Sequence, residues 1–405
     1  MRSRGDRRPL PPGFGTIWTA VAVDLIGFGV VLPLLPLYAT RFHASAFTVG
    51  ALFASFSIAQ LIFAPVWGRV SDRVGRKPLL VLSLFGTAVG TLLTGLAGSL
   101  ALLFAGRIVD GVSGASVSVA HAAVADVAAP RERARLFGLL GAAFGVGFVA
   151  GPTIGALAAL VDERLPFFVA AAIAGVNALV AIRRLPETNR RRAGVAAAPP
   201  WTPQTGLEDE VVVLDDDEEA ETAARAGGRS IPGLLAVAFV SLVAFSAFEV
   251  TFPLFGKARL GFEPSSTAGL FAAIGLLLAA VQSSLVHPLV RRIGETGTLR
   301  FGLLTNALGL VVLAAVHSWW LLAPALVALV VGQGVAMPAL TAQFARRAPA
   351  ARTGGTLGVQ QSANGLARVV GPLLGGLLFE HVGVASPYLV GAGLMACCAA
   401  LVTRL

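Results

Sequence analysis

Only a few charged residues interrupt the long apolar runs of this sequence, and they are the residues that could do chemistry there. Asp24 and Glu249 are acids inside apolar runs, and Glu249 is flanked by Phe245, Phe248 and Phe252. A carboxylate held away from water must be paired or protonated, because burying its charge alone is costly. Asp24 is therefore a candidate for proton coupling or substrate contact, and Glu249 for binding an amphipathic cation. The alternatives are an assembly salt bridge for Asp24 and a position near the outer surface for Glu249.

Four more charged or titratable residues lie inside apolar runs. Arg107 and Asp110 are three residues apart, so their side chains can touch on one face of a helix. His121 shares that face and could titrate near neutral pH, although a single helix histidine is more often only hydrogen-bonded. Arg368 could pair with either buried acid. Together they predict a proton-coupling and substrate-contacting set, with a structural ion pair between Arg107 and Asp110 as the alternative.

The composition indicates which elements hold these residues. The chain has 405 residues, of which 56% are hydrophobic and 13% charged, and its mean hydropathy is +0.78. A soluble domain carries about 25% charged residues, and a membrane-spanning helix needs about 20 apolar residues. The sequence therefore predicts an all-α membrane protein with twelve transmembrane helices, at residues 14–40, 46–66, 78–98, 100–128, 135–159, 165–184, 231–255, 266–290, 297–316, 319–345, 355–379 and 385–403.

The basic residues predict the orientation of these helices. The chain has 31 Lys and Arg and a net charge of +9. They concentrate in alternate loops, and the loops between them hold only Arg41, Arg164, Lys257 and Arg259. Because loops rich in Lys and Arg stay in the cytoplasm, we predict a multi-pass protein of the inner cell membrane with both termini cytoplasmic. The basic excess then reflects topology, and no nucleic-acid partner is expected.

The sequence repeats itself at an offset near 220 residues. Residues 151–155 and 371–375 both read Gly-Pro-x-x-Gly, and residues 36–38 correspond to 253–255. Such a repeat indicates two homologous structural units. An acidic run between them reads as a solvated linker. The predicted domains are a cytoplasmic N-terminus at 1–13, an N-terminal six-helix bundle at 14–184, a cytoplasmic acidic linker at 185–230 and a C-terminal six-helix bundle at 231–404.

A charged turn of ten residues, 68–77, is predicted between the second and third helices. Its glycines would allow a tight reversal of the chain. The turn resembles the loop signature of the major facilitator superfamily, G-x-x-x-D-R-x-G-R-[KR]. The matching positions are Gly68, Asp72, Arg73, Gly75, Arg76 and Lys77. In exporters of that family, an acid at the end of the fourth helix joins the loop in a charge cluster that latches the two halves. The resemblance assigns Asp126 to this conformational latch.

The fifth predicted helix carries Gly147, Gly151, Pro152 and Gly155. Small residues at every fourth position allow close helix contact, and proline kinks a helix, so packing alone explains part of this pattern. The pattern also resembles the antiporter signature of proton-driven exporters in the same superfamily. The segment around Asp24 resembles the first helix of drug/proton antiporters, including tetracycline exporters. The segment around Arg107 resembles the fourth-helix signature linked with proton transfer.

These resemblances imply a major facilitator fold and an activity. We expect a proton-coupled secondary transporter that exports small amphipathic compounds or drugs by alternating access. Its partners would be the lipid bilayer, a small-molecule substrate and protons, and we expect a monomer that is not an enzyme and has no cofactor or metal. Tetracycline exporters also carry acids in their third and ninth helices, which 78–98 and 297–316 lack, so tetracycline is not the expected substrate.

Three other functions stay open at this point. A symporter that imports a metabolite or sugar would share the fold but lack the signature of the fifth helix. A membrane-embedded enzyme would need a nucleophile–base or metal constellation, and the spans offer only His121 and scattered acids. A membrane sensor that transports nothing would use the acidic linker.

Overall fold

The computed structural model describes residues 10–128, 132–188, 217–347 and 353–403, which form helices joined by short turns and no strand. The helices are α1 Phe14–Thr40, α2 Ala46–Val74, α3 Arg76–Gly95, α4 Leu100–Ser113, α5 Ser116–Val127, α6 Arg133–Ala159, α7 Leu165–Arg184, α8 Asp217–Leu260, α9 Pro264–Ser284, α10 Val286–Ala314, α11 Trp319–Arg347, α12 Thr353–His381 and α13 Ser386–Val402. A helix satisfies its own backbone polar groups, which is why apolar runs adopt it in lipid.

The prediction of an all-α protein with twelve spans is confirmed for the described part of the chain. Eleven segments there are long and apolar enough to cross a membrane, and α13 is a shorter apolar helix. One feature of these spans was not expected. The fourth span, predicted as a single helix at 100–128, is divided into α4 and α5 by a break at residues 114–115.

The charged segment 68–77 differs from its prediction. The expected ten-residue turn is wrong, because α2 continues to Val74 and α3 begins at Arg76. Gly75 alone lies between them, and its φ of +112° reverses the chain in a region that favours glycine. Gly68 lies inside α2, where an added Cβ would meet nothing within 4 Å. It therefore takes no part in the reversal.

The region predicted as a linker, 185–230, is described only at its two ends. Residues 189–216 lie outside the described residues. Residues 217–230 are helical, because α8 begins at Asp217 rather than at the predicted 231. The C-terminal part of the predicted linker is therefore a helix that runs directly into the seventh span.

The two halves of the chain repeat the same packing. Gly151 of α6 is so close to α1 that an added Cβ would lie 2.6 Å from the Cα of Gly29. Gly371 of α12 is equally close to α8, because an added Cβ at Gly371 would lie 2.8 Å from the Cβ of Ser246. Glycine permits this approach because it has no side chain. The repeat predicted from the sequence is confirmed, with Gly29 equivalent to Ser246 and Gly151 to Gly371.

The halves meet along two helix pairs and at one end of the bundle. Gly50 of α2 lies against the carbonyl of Pro372 in α12, and Gly275 of α9 lies against that of Phe148 in α6. At the end opposite Gly75, Lys257 Nζ donates to Thr40 Oγ1 at 2.9 Å. There the backbone N–H of Phe47 also donates to Glu380 Oε2 at 3.0 Å. The halves are therefore in direct contact at the end of the bundle that the topology predicts to be outside.

Candidate functional site

Asp24 lies in the middle of α1, where α1 packs on α5 and α6. Its Oδ2 accepts a hydrogen bond from Ser116 Oγ at 2.5 Å. Its Oδ1 is buried, and no described group donates to it. Helix α6 approaches α1 closely through Gly147, Gly151 and Gly155. Asp24 is therefore a half-satisfied carboxyl and forms no ion pair within the described part of the chain.

Ser116 is brought to Asp24 by the break in the fourth span. Breaking a helix inside a membrane frees backbone groups that must find partners. Three side chains of α2 and α3 take the freed carbonyls: Trp67 Nε1 donates to Val112 O at 2.5 Å, Gln60 Nε2 donates to Gly114 O at 2.9 Å, and Ser83 Oγ donates to Ser113 O. Ser83 Oγ also accepts from the backbone N–H of Ala115 at 3.2 Å. The break is therefore a built feature with its own polar lining.

Arg107 and Asp110 form the predicted ion pair just before this break. Arg107 Nη1 lies 2.8 Å from Asp110 Oδ2, and the two residues are only 2% and 6% exposed. The Arg107 guanidinium also lies 4.3 Å from the ring centroid of Phe56, a cation–π contact. Its Nε is buried, and no described group accepts from it. The Nη1 side of the guanidinium is thus paired with Asp110, whereas its Nε has no acceptor among the described residues.

Glu249 is buried in α8, with 7% of its surface exposed. Phenylalanines line this part of α8, with ring centroids 5.1 Å apart for Phe248 and Phe252 and 6.1 Å for Phe245 and Phe248. By the offset that equates Gly29 with Ser246, Asp24 corresponds to Ser241 and Glu249 to Leu32. At 1.5 Å per residue, Glu249 therefore lies about 12 Å nearer than Asp24 to the end of the bundle opposite Gly75.

Arg368 lies on α12 between its two packing faces. Gly365, Pro372 and Gly376 face α2, whereas Gly371 and Gly375 face α8. At 100° per residue, Arg368 falls on the strip between these faces. The sequence left open an ion pair with Asp24 or Glu249, and it is not formed, since neither acid lies within 4 Å of Arg368. Its charge nevertheless acts on Glu249 at longer range.

His121 is not part of this group. Its Nδ1 lies 2.8 Å from the Val117 carbonyl of its own helix, and its ring packs 5.3 Å from the ring of Phe137. This is the ordinary hydrogen-bonded position that the sequence left open as the alternative. The described residues also contain no group of three or more His, Cys, Asp or Glu side chains that could hold a metal ion.

The charged residues at Gly75 form a cluster that we call the loop cluster: Ser71, Asp72, Arg76, Asp126 and Glu187. Arg76 is its centre. Its Nη1 lies 2.7 Å from Asp72 Oδ1, and its Nε lies 2.9 Å from Asp126 Oδ2. The same Nη1 donates to Ser71 Oγ at 2.5 Å, and the backbone N–H of Arg76 donates to Glu187 Oε1 at 2.9 Å. Arg73 of the motif is exposed.

Sequence reasoning grouped Asp72, Arg76 and Asp126 correctly, and it missed several of their neighbours. Glu187 follows α7 and anchors the start of α3, although the sequence gave it no role beyond the resemblance of Leu-Pro-Glu-Thr to a family pattern. Ser116, Gln60, Ser83 and Trp67 were also missed. Nothing in the local sequence distinguishes these four from other residues of the same types, so only their positions around the break identify them.

Comparison with known proteins places these features in one family. The Major Facilitator Superfamily profile matches residues 17–313 and 285–405. The chain is 32% identical to the class E tetracycline resistance protein of Escherichia coli, over 89% of this chain and 86% of that protein. It is 30% identical to multidrug resistance protein 2 of Bacillus subtilis, over 89% and 87%. Among solved structures, the human organic anion transporter MFSD10 (TETRAN) superposes with a TM-score of 0.67 at 26% identity, covering 97% of this chain and 100% of that one. With its two repeated bundles, this chain belongs to the Major Facilitator Superfamily of membrane transporters.

Proposed function

We propose that this protein is a proton-coupled exporter of small amphipathic compounds. It works by alternating access in the inner cell membrane, with both termini in the cytoplasm, and as a monomer. The names of its relatives support export, since they are tetracycline and multidrug resistance proteins. The observation that carries the proposal is Asp24, a carboxyl inside the first span that is hydrogen-bonded at one oxygen and unsatisfied at the other.

A carboxyl in this state is suited to exchange a proton for a substrate. Its charged form has Ser116 as a donor but no counterion, so a cationic group or a proton stabilises it. Because one carboxyl cannot hold both at once, proton binding from the outside releases the substrate, and substrate binding from the cytoplasm releases the proton. The halves change orientation around this midplane site between the two events.

The other buried charges have separate roles in this scheme. Glu249, among phenylalanines and about 12 Å nearer the outer end, receives the cationic part of the substrate on its way out. Arg368, on the strip between α2 and α8, supplies a positive charge that acts on Glu249. Arg107 and Asp110 form a buried ion pair with no net charge beside the break in span four. Tetracycline is not the proposed substrate, because no acid lies in α3 or in residues 297–314 of α10.

The loop cluster is the proposed conformational latch. In the structure Arg76 binds Asp72 and Asp126, all within the N-terminal half. The Asp72 side chain is 63% exposed at the cytoplasmic end. It is thus placed to reach the other half when the halves approach each other there. Gly147, Gly151 and Gly155 hold α6 and α1 as one body, so that motion of the half moves Asp24 with it.

The direction of coupling tests this function. Everted vesicles would be given a pH gradient with an acid interior, and the cationic dye rhodamine 6G would be added outside. An exporter that exchanges protons for dye accumulates the dye, and nigericin abolishes the accumulation by collapsing the gradient. Accumulation only when the gradient is reversed would instead establish a symporter. Vesicles without the protein give the background.

A further inference from the structure

Helix α5 is tied to two different charged sites, one at each of its ends. At its start, Ser116 Oγ donates to Asp24 Oδ2 at 2.5 Å. At its other end, Asp126 Oδ2 lies 2.9 Å from Arg76 Nε in the loop cluster. Ten residues of helix separate Ser116 from Asp126, which is about 15 Å at 1.5 Å per residue. A single short helix therefore joins the candidate proton site to the candidate latch.

The break before α5 separates it mechanically from α4. Gly114 has a ψ of 46°, outside the helical region, and it ends α4. The break is lined by Gln60, Ser83 and Trp67, whose side chains hold the backbone of 112–115 from α2 and α3. Because these bonds tie the break to α2 and α3, a shift of α5 strains them without unwinding α4. In the C-terminal half the corresponding helix, α11, is continuous over Trp319–Arg347, so this feature is confined to one half.

We propose that α5 transmits the charge state of Asp24 to the loop cluster, and that Ser116 is the positioning residue for this coupling. The inference rests on the proposed function, in which Asp24 carries the proton. A charged Asp24 accepts the Ser116 hydrogen bond and holds the first turn of α5. A proton on Asp24 neutralises the carboxyl, which then accepts the Ser116 hydrogen bond more weakly and holds the turn less tightly. Because α5 is one helix, the shift reaches Asp126 and loosens its bond to Arg76.

Few other titratable groups face Asp24 from the helices packed around α1. Residues 136–159 of α6, residues 165–182 of α7 and all of α9 contain none. Helix α4 supplies Asp110, which acts on Asp24 electrostatically and is paired with Arg107. Helix α5 supplies His121, bonded to its own backbone, and α8 supplies Glu249, about 12 Å further along the axis. A pH response at the break that depends on Ser116 therefore reports Asp24.

Trp67 can report structural changes at the break, because its indole N–H donates a hydrogen bond to Val112 O there. The full chain would be labelled with 5-fluorotryptophan, placed in lipid nanodiscs and followed by fluorine NMR over a pH series. The resonance missing in Trp67→Phe identifies Trp67. We expect this resonance to move with pH in one transition that is lost in Asp24→Asn and in Ser116→Ala. Ser116→Thr, which keeps the hydroxyl, should restore it.

Ser118→Ala is the matched control, since Ser118 lies in the same turn of α5 but donates to Ala115 O instead of Asp24. It should leave the transition unchanged. The proposal is overturned if the Trp67 resonance does not respond to pH, or if its transition persists in folded Ser116→Ala protein. Neither result depends on transport, so the dye experiment judges the proposed function separately.

The second arm tests whether the two ends of α5 are coupled. If they are, linkage requires that weakening the latch shift the pH midpoint of Asp24, because coupling is reciprocal. Asp126→Asn should therefore move the midpoint of the Trp67 transition by roughly 0.7 to 2 pH units. Glu163→Gln, which breaks the exposed pair with Arg41 at the opposite end of the bundle, should not move it. An unchanged midpoint in Asp126→Asn would show that α5 does not transmit.

Discussion

In the N-terminal half, α6 lays Gly151 against Gly29 of α1, and in the C-terminal half α12 lays Gly371 against Ser246 of α8. The packing of the two halves is thus the same at equivalent positions. Their charged residues differ, because Asp24 is replaced by the buried Ser241 and the equivalent of Glu249 is Leu32. Small residues therefore set the packing that the two halves share, whereas each half places its buried acid at a different depth.

The largest effect is expected from filling the shared contact. Gly151→Val and Gly371→Val would each place a side chain within 2.6 to 2.8 Å of backbone or Cβ atoms of the opposing helix. Overpacking of this kind costs about 1–3 kcal/mol, and rigid backbone puts both at the upper end. Thermal unfolding of the purified protein should show both variants strongly and similarly destabilised.

Gly145→Val is the control for that pair, since an added Cβ at Gly145 would meet nothing within 4 Å. It should unfold close to the wild-type temperature. If Gly151→Val were destabilised and Gly371→Val were not, the halves would not share their packing and the comparison would fail.

The next largest effect distinguishes the roles of Asp24 and Glu249. Glu249→Gln should weaken binding of a cationic substrate about ten-fold, equivalent to about 1.4 kcal/mol, because it removes a charge from the aromatic site. The number of protons exchanged per substrate should stay the same, since Asp24 is intact. Dye concentration dependence and proton release, measured on the same vesicles, check both statements. If Glu249→Gln instead lost proton exchange and kept its dye affinity, Glu249 would carry the proton and Asp24 would bind the substrate.

The smallest effect concerns two glycines 219 positions apart, Gly75 between α2 and α3 and Gly294, where α10 is kinked. Gly75 and Gly294 both have positive φ, +112° and +71°. An added Cβ at Gly75 would also meet the Glu187 carboxylate, whereas at Gly294 it would meet nothing. Gly294→Ala should cost about 1 kcal/mol for the backbone alone, and Gly75→Ala somewhat more. Thermal unfolding of the two variants side by side gives the difference, and equal losses would mean that Glu187 does not support the turn.

The sequence was sufficient for the spans, because the length and apolarity of each run decide whether it crosses a membrane. It was also sufficient for the repeat, whose glycines recur at a fixed offset. The break at Gly114 could not be predicted, because nothing local requires it. It is held by Gln60, Ser83 and Trp67, which come from other helices. The prediction of a ten-residue turn at 68–77 was wrong. Its charged residues are typical of a loop, whereas the helices on both sides continue up to Gly75.

The same distinction holds for the site. Asp24, Glu249 and the pair of Arg107 and Asp110 could be predicted, since a charge inside an apolar run is rare and costly. Ser116 could not, because its contact with Asp24 joins residues 92 positions apart. The sequence also left the partner of Arg368 open, and only the spacing of the contacts along α12 shows that it points between the two halves.

The most direct test of the account is substrate-induced proton release in everted vesicles of wild type and Asp24→Asn. Vesicles with an acid interior would receive a panel of lipophilic cations, and the external proton concentration would be followed. We expect proton release on adding a transported compound, and this release should be lost in Asp24→Asn and retained in Glu163→Gln. Proton release that persists in Asp24→Asn would contradict it, because the coupling site would then lie elsewhere.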